Sequence, residues 1–493
     1  MSHRATALAA LVVLAGCAGY RRPQVVPQAT RAGALQTDSM RAFFDSLEQA
    51  RATDTLPPDV ALRPLMPRAL PAESLADLAW MDVLKDTILV DLVRQALRNN
   101  HDLALERARI REFRAAAGVA RSALFPSLTL NGSASRNKVA FGSLSIPPYT
   151  AYRATADVSW ELNFFSLGPG ITAANADLAA QEANERAAAL ALVSEVATGY
   201  LQLLELDQER TTAEQTLASR QTTLDLARQR FASGLISELD VRQFEAQVAV
   251  PAVRLAQIEQ AQAEQEHALD VLLGEGPAAI PRGVSLARAA RAVAVPDSVS
   301  VTLIERRPDV EAAERTYRGA AARVGVATAA RLPSLSITGS YGGQAATLGQ
   351  LTDSTSRVYQ IMAGIKIPLF AGGRLASEQH AAEARAEEAR AAYEQTVLTA
   401  LEEAGDALTA VRAARDQLVA QETQATALRR ALDLATLRYQ RGIANYLEVL
   451  DAQRSLFDAQ LAESQAELQE LIAAVRLYKA LGGSWPEGDA TPH

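Results

Sequence analysis

One cysteine, Cys17, occurs in 493 residues, which excludes an internal disulfide and a cysteine-based metal cluster. The five histidines, His3, His101, His267, His380 and His493, are scattered without ligand spacing. No nucleophile, base and orienting group gather into a catalytic constellation, so neither an enzyme nor a bound cofactor or metal is expected. Basic charge is also short. Lys and Arg number 49 against 57 Asp and Glu, a net charge of -8, which argues against nucleic-acid binding. Proline is missing from 171–231 and from 374–439. The apolar run at the front, Ala5 to Val13, is too short to span a bilayer, which takes about 20 residues.

That run follows His3 and Arg4 and ends in Leu14-Ala15-Gly16-Cys17. It reads as an export signal over 1–16, to be set aside from the fold. Its end resembles the lipobox of bacterial lipoproteins, which implies cleavage before Cys17 and lipid on that residue; an ordinary signal peptide is the alternative. Ala18 stands where an Asp would favour retention at the inner membrane in enteric lipoproteins. Loss of Arg4 with the leader takes the charge to about -9. From 17 to 75 the chain is rich in Pro, Ala and Arg, with Pro57-Pro58, Pro64, Pro67 and Pro71. This predicts an irregular tether with a short helix over Ser39–Arg51.

The remainder is written twice. Asn99-Asn100-His101-Asp102 is echoed by Arg306-Arg307-Pro308-Asp309, and Phe125-Pro126-Ser127-Leu128 by Leu332-Pro333-Ser334-Leu335. Arg230-Phe231-Ala232-Ser233-Gly234-Leu235 is echoed by Arg438-Tyr439-Gln440-Arg441-Gly442-Ile443. A unit this long is a duplicated subdomain rather than a solenoid repeat. The halves are 76–273 and 301–482, joined by a linker over 274–300 and followed by a tail, 483–493.

Each half opens with a pair of alternating segments. From Tyr152 to Phe164 apolar and polar residues alternate without a fault, the mark of a strand with one apolar face. Strands are expected at about 127–138, 151–165, 334–345 and 356–369, with a loop from Lys138 to Ala151 containing Pro147-Pro148. Their length suits tilted membrane strands. A soluble sandwich would give the same alternation, but little other sheet is available to cover the apolar face. Four strands cannot close a barrel, and an open edge is not tolerated in lipid. Two, three or four copies would each give an even number of strands.

The rest is helical, as hairpins over about 171–273 and 374–481. A helix of some 60 residues spans roughly 90–100 Å, far beyond an ordinary globular helix. Leu217, Leu224 and Phe231 lie seven apart, as do Leu418, Ala425, Leu432 and Tyr439, a spacing for side-by-side coiled-coil packing. Gly234 and Gly442 suit the left-handed residue that ends a helix. Ser237 and Asn445 are then placed to cap the returning helices. Asp240, Glu448 and Asp451 fall in the first turns beyond, where the helix dipole favours acids. Glu448 and Asp451 share a face. If that face looks inward, symmetry turns them into rings that narrow the mouth and attract cations.

Five runs carry a family resemblance: Tyr20-Arg21-Arg22-Pro23 after the lipobox, Asn99-Asn100-His101-Asp102-Leu103, Arg306-Arg307-Pro308-Asp309-Val310, Ile367-Pro368-Leu369-Phe370-Ala371-Gly372-Gly373-Arg374, and Leu447-Glu448-Val449-Leu450-Asp451-Ala452-Gln453. Together they resemble the TolC-like outer membrane factors, in their lipid-anchored branch, over about 76–482. The resemblance implies a trimeric α/β-barrel: a transmembrane β-barrel of four strands per chain in the bacterial outer membrane, continued by a long all-α barrel in the periplasm. It implies the exit channel of a tripartite efflux pump, with a periplasmic adaptor and an inner-membrane, proton-driven transporter as partners and outer-membrane lipid as surroundings. It places adaptor docking at Arg230, Phe231, Gly234, Leu235, Ser237, Leu239, Arg438, Tyr439, Gly442, Ile443 and Leu447. The channel constriction falls to Glu448 and Asp451, with Asp240 on the neighbouring hairpin. One departure stands out. Ile443-Ala444-Asn445-Tyr446 lacks the basic residue with which some members lock the closed mouth, so hydrogen bonds or packing would have to serve. A duct for protein secretion is the alternative within the fold, and a non-conducting periplasmic scaffold or adaptor is the alternative outside it.

Overall fold

A computed structural model of the chain describes residues 86–141, 144–290 and 306–483, all within the unit Met66–His493. Cys17, the tether, linker residues 291–300 and the tail from 484 onward lie outside the described residues. In chain order the elements are α1 (Thr87–Asn99), α2 (His101–Ser122), β1 (Ser127–Phe141), β2 (Leu144–Leu162), α3 (Phe164–Ala232), α4 (Glu238–Leu273) and α5 (Leu286–Ala290). After the linker come α6 (Pro308–Ala329), β3 (Ser334–Ala345), β4 (Arg357–Lys366), α7 (Arg374–Gln440) and α8 (Tyr446–Ala480). Apart from α1 and α5, the second set repeats the first.

The strands form one antiparallel sheet in the order β1-β2-β3-β4. The rows Leu128–Val158–Gly339–Ile361 and Leu130–Ala156–Tyr341–Tyr359 fall on one face, and Thr129–Asp157–Ser340–Gln360 on the other. The apolar face has no cover from the rest of the chain: Leu130 is 85 % exposed and Ile361 83 %, and on the polar face Thr155 is buried while Thr129, Asn131 and Gln360 are open. There Asn131 Nδ2 donates to Asp157 Oδ2 at 2.6 Å, and Thr155 Oγ1 donates to the same oxygen at 3.2 Å. A water-soluble sheet buries its apolar face against a core. This sheet leaves its apolar face uncovered, as a membrane barrel does.

The outer end differs from the expected loop over 138–151. β1 and β2 continue through it, because Asn137 pairs with Tyr149 and Val139 with Ile146. Pro147 and Pro148 thus face the single residue Lys138. This is a bulge, the place where a sheet tolerates residues without an N–H. The first long helix also begins earlier than the proline-free stretch, with Pro169 as its sixth residue, just past the first turn in which a helix N–H has no partner to lose.

α3 and α7 contain 69 and 67 residues, roughly 100 Å each. α4 packs along α3 and α8 along α7, while α6 lies against both α3 and α7. From Ala400 onward the buried residues of α7, Ala400, Ala404, Ala407, Val411, Ala414, Leu418 and Ala425, advance by alternating steps of four and three apart from one missed step. That is a coiled-coil seam built from small residues. A second core gathers Leu89, Val93, Leu103, Val196, Tyr200 and Leu471 where α1, α2, α3 and α8 meet. An apolar stretch of α3 is long enough to cross a membrane by composition, but 67 % of it is buried within the chain.

Two matched joints complete each half. Asn100 caps α2 through Leu103 N at 3.0 Å, and its Nδ2 donates to Leu272 O near the end of α4 at 3.1 Å. Arg307 stands at the corresponding position before α6, and its Nη1 donates to Ala480 O at the end of α8 at 3.1 Å. Gly274 and Gly482, at φ 72° and 84°, turn the chain out of those helix ends in the left-handed conformation. Arg307 also reaches Asp309 at 2.7 Å and Glu403 of α7 at 2.6 Å, and its guanidinium holds the Asp309 carboxyl below its ordinary value against the effect of burial. Replacing Arg307 by Ala leaves the Ala480 carbonyl without its donor and removes two ion pairs whose carboxylates are half exposed, a loss of about 2 kcal/mol. Asn100→Ala costs about 1 kcal/mol. Thermal melts of the purified protein check both the losses and their order.

Candidate functional site

The two helical hairpins end in the same turn. Leu235 N donates to Arg230 O at 2.9 Å, and Ile443 N donates to Arg438 O at 3.0 Å. Gly234 and Gly442 take φ 73° and 72°, a conformation that suits glycine because it has no Cβ. The residues after them stand out from the surface: Leu235, Leu239, Ile443 and Leu447 are all more than half exposed, and Phe231 somewhat less. Ser237 and Asn445 cap α4 and α8. The two turns thus present paired apolar side chains on rigid, capped ends.

The acids behave differently in the two halves. Asp240 folds back on its own cap: Ser237 N and Oγ both donate to Asp240 Oδ2 at 2.8 Å, and Asp240 N donates to Ser237 Oγ at 3.3 Å. This is a reciprocal capping box. Its equivalent Glu448 reaches Arg438 across the turn, at 3.6 Å. Asp451 is three-quarters exposed and lies 3.8 Å from Arg454. Hence Glu448 and Asp451 sit on one exposed face and Asp240 is held apart from them.

The basic residue that meets Glu448 is Arg438, on the far side of the turn. The sequence points to Arg438 for docking alone and gives Arg454 no role. Its placement three residues after Asp451 was the available signal. Near the turn, the ion pairs of the first hairpin also stay within it. Arg242 meets Glu238 at 3.2 Å and Glu245 at 2.8 Å, and Arg228 meets Glu245 at 3.1 Å. Hydrogen bonds from both guanidiniums hold the Glu245 carboxyl below its ordinary value.

Between the hairpins the contacts are aromatic. Arg230 Nη1 donates to Tyr439 Oη at 2.6 Å, with the guanidinium 5.4 Å from that ring. Tyr439 lies edge-on to Tyr446 at 5.1 Å, and Tyr446 meets Phe244 at 4.1 Å. Phe244 belongs to a small core with Leu224, Ala227 and Val241. Tyr446 and Phe244 carry no mark in the sequence beyond their type, so their role in joining the hairpins emerges from the fold.

A second constellation lies at the linker. The Asp86 carboxylate accepts from Ile88 N at 2.9 Å, Tyr200 Oη at 2.9 Å and Val284 N at 3.1 Å, while Gly283 N donates to Tyr200 Oη at 2.8 Å. This pins α1 and the linker to the middle of α3. Among the described residues no group of His, Cys, Asp and Glu could hold a metal ion.

A sheet with an apolar outer face, carried on helical hairpins about 100 Å long, defines an outer-membrane channel with a periplasmic helical extension. The model of the outer membrane efflux proteins matches residues 92–275 and 299–483, and the chain belongs to that family. It is 32 % identical over 459 residues to the pyoverdine export outer membrane protein OpmQ of Pseudomonas putida, covering 90 % of this chain and 97 % of that protein. The outer membrane protein OprJ of Pseudomonas aeruginosa is 36 % identical, over 83 % of this chain and 87 % of its own. Among solved structures, VceC of Vibrio cholerae matches with a TM-score of 0.75 at 31 % identity, over 82 % of this chain and 98 % of that one. The open state of the Neisseria gonorrhoeae channel MtrE matches with a TM-score of 0.77 at 28 % identity, over 84 % and 94 %. The protein is therefore an outer-membrane efflux channel of the TolC-like type, and not an enzyme.

Proposed function

We propose that three copies of the chain form the exit duct of a tripartite pump, conducting small molecules passively from the periplasm to the outside. A periplasmic adaptor docks at the helical tip and couples the duct to a proton-driven transporter in the inner membrane. The observation that carries the assembly is what the repeat leaves uncovered. α6 lies between the long helices of both halves, whereas its counterpart α2 packs on α3 alone. Leu162 is buried at 6 % exposure opposite Leu335; its equivalent, Leu369, is 93 % exposed. Another copy supplying β1 and α2 covers both. Twelve strands then close the barrel and remove its edges.

At the tip, Leu235, Leu239, Ile443 and Leu447 give the adaptor an apolar contact, with Phe231, Gly234, Ser237, Arg230, Arg438, Tyr439 and Gly442 shaping the turns beneath. Glu448 and Asp451, brought together threefold, form the constriction. Asp240 contributes by capping its helix. Conduction needs no chemistry from the chain, since energy and direction come from the transporter. Pyoverdine export in OpmQ and the toluene and antibiotic efflux named for other relatives support small organic molecules as cargo. Cys17, mature and acylated, ties the chain to the outer membrane beside its strands, with several acyl chains holding where one is marginal.

Repeat symmetry sets the strand register between copies. Trp160 pairs with Ile337 inside the chain, so Ile367 of one copy lies opposite Leu130 of the next. In a Cys17→Ser background, Ile367→Cys with Leu130→Cys is expected to oxidise to a covalent trimer on denaturing gels, and Ile367→Cys with Ser135→Cys is not. Monomers from the first pair sink the register, and a covalent dimer sinks the threefold assembly. Cys17→Ser by itself is expected to abolish lipid labelling while the barrel still inserts. Glu448→Ala with Asp451→Ala is expected to raise conductance in planar bilayers several-fold and to lower cation preference. Unchanged selectivity would remove both residues from the constriction.

A further inference from the structure

Arg220, near the tip, lies in an environment that does not suit it. It lies in α3, about four turns before Gly234, and is 3 % exposed. Its Nη1 donates to Gln247 O of α4 at 2.8 Å. The guanidinium lies 5.4 Å from the ring of Phe457 on α8. Its Nε and Nη2 are buried, and among the described residues neither has an acceptor. A guanidinium in this state gains one backbone hydrogen bond and one aromatic face, and it loses the hydration of two donors.

The missing acceptor is one residue away. Asp458 follows Phe457 on α8 and is exposed, and its charge already acts on Arg220. Successive residues of a helix point about 100° apart. Turning α8 by part of a revolution about its axis therefore removes Phe457 from the guanidinium and brings Asp458 to it. α8 belongs to the second hairpin and Arg220 to the first, so this exchange accompanies a movement of one hairpin against the other. The ion pairs described at the tip all lie within a single hairpin, so the contacts such a movement has to break are the Arg230–Tyr439 hydrogen bond and the Phe244–Tyr446 ring contact.

We propose that Arg220 is a two-position contact between the hairpins: it rests on Phe457 in the arrangement seen here and pairs with Asp458 when the α7–α8 hairpin turns. The device rests on the reading of the tip as the channel's gate. The Phe457 position holds the hairpins together, and the unsatisfied donors of Arg220 oppose it. The gate is thus balanced between two arrangements rather than locked in one, which suits a mouth that an adaptor must open.

Hydrogen exchange over 446–458 in the purified protein reads the movement whether or not the protein conducts, and planar-bilayer conductance reads its effect on the gate. Asp458→Asn is expected to slow exchange and lower conductance several-fold by removing the second position. Arg220→Met does the same by removing the buried cation. In the Arg220→Met background, Asp458→Asn is expected to have no further effect, because the pair no longer exists. An Asp458→Asn effect of equal size in both backgrounds overturns the proposal, as does no effect in the native background. Oligomer recovery and circular dichroism confirm that each variant is folded. Should the native protein fail to conduct, the channel reading falls while the exchange cycle still decides the contact.

Discussion

Asn100 and Arg307 each tie the start of a short helix to the end of a returning one, and the length of the helical wall depends on that tie. α3 and α7 run roughly 100 Å, whereas α4 and α8 contain only 36 and 35 residues. They cannot flank a neighbour of that length alone. A helix end leaves carbonyls without partners, and a side chain arriving from the next helix takes one of them. α4 is thereby continued by α2, and α8 by α6. Each joint is also fixed to its long helix, by different chemistry in the two halves. Arg307 reaches Glu403 of α7, while in the first half Asp86 and Tyr200 bind α1 and the linker to α3. The duplication preserved the geometry of the joint while its ionic content changed.

The sheet imposes the second constraint. Leu130, Tyr359 and Ile361 are exposed on one side, and the hydrogen bonds around Asp157 lie on the other. In water this arrangement would be unstable, since a continuous apolar face is exposed. In a bilayer it is the stable one, provided that no strand edge remains unpaired. The requirement for closure is thus written in the same residues that require lipid. Membrane and assembly are one condition seen from two sides, because β1 and β4 cannot enter hydrocarbon without partners.

Much of this was legible in the amino acids. Faultless alternation from Tyr152 marked β2 because a strand's side-chain period is two, and the absence of proline marked the long helices. Pro147-Pro148 misled, since prolines usually end a strand; the bulge opposite Lys138 is a tertiary solution that no local pattern announces. Ser237 and Asn445 were readable as caps because their side chains act on neighbours in the chain. The linker's hold on Tyr200 was not, because Asp86, Tyr200 and Gly283 are far apart in sequence and none belongs to a motif. The aromatic bridge from Tyr439 to Phe244 was hidden for the same reason. Its rings come from α4, α7 and α8, and only the packing of two hairpins brings them into one row.

The tip shows why duplicated halves need not do the same work. Asp240 and Glu448 occupy the same position in the first turn of a capped helix, yet only one is free to face outward. Beside Ser237, whose N–H and hydroxyl are both within reach, the shorter aspartate is drawn back and spent on the cap. Beside Asn445, whose side-chain oxygen accepts from Glu448 N, the longer glutamate extends towards Arg438 instead. Asp451 has Gln243 as its counterpart, so the second acid has no equivalent at all. Small choices of cap residue and side-chain length thus move negative charge onto one hairpin of the pair. A wall that repeats six times around three chains would then carry its acids only three times. The apolar turns are nearly equivalent in the two halves, whereas the exposed acids are not.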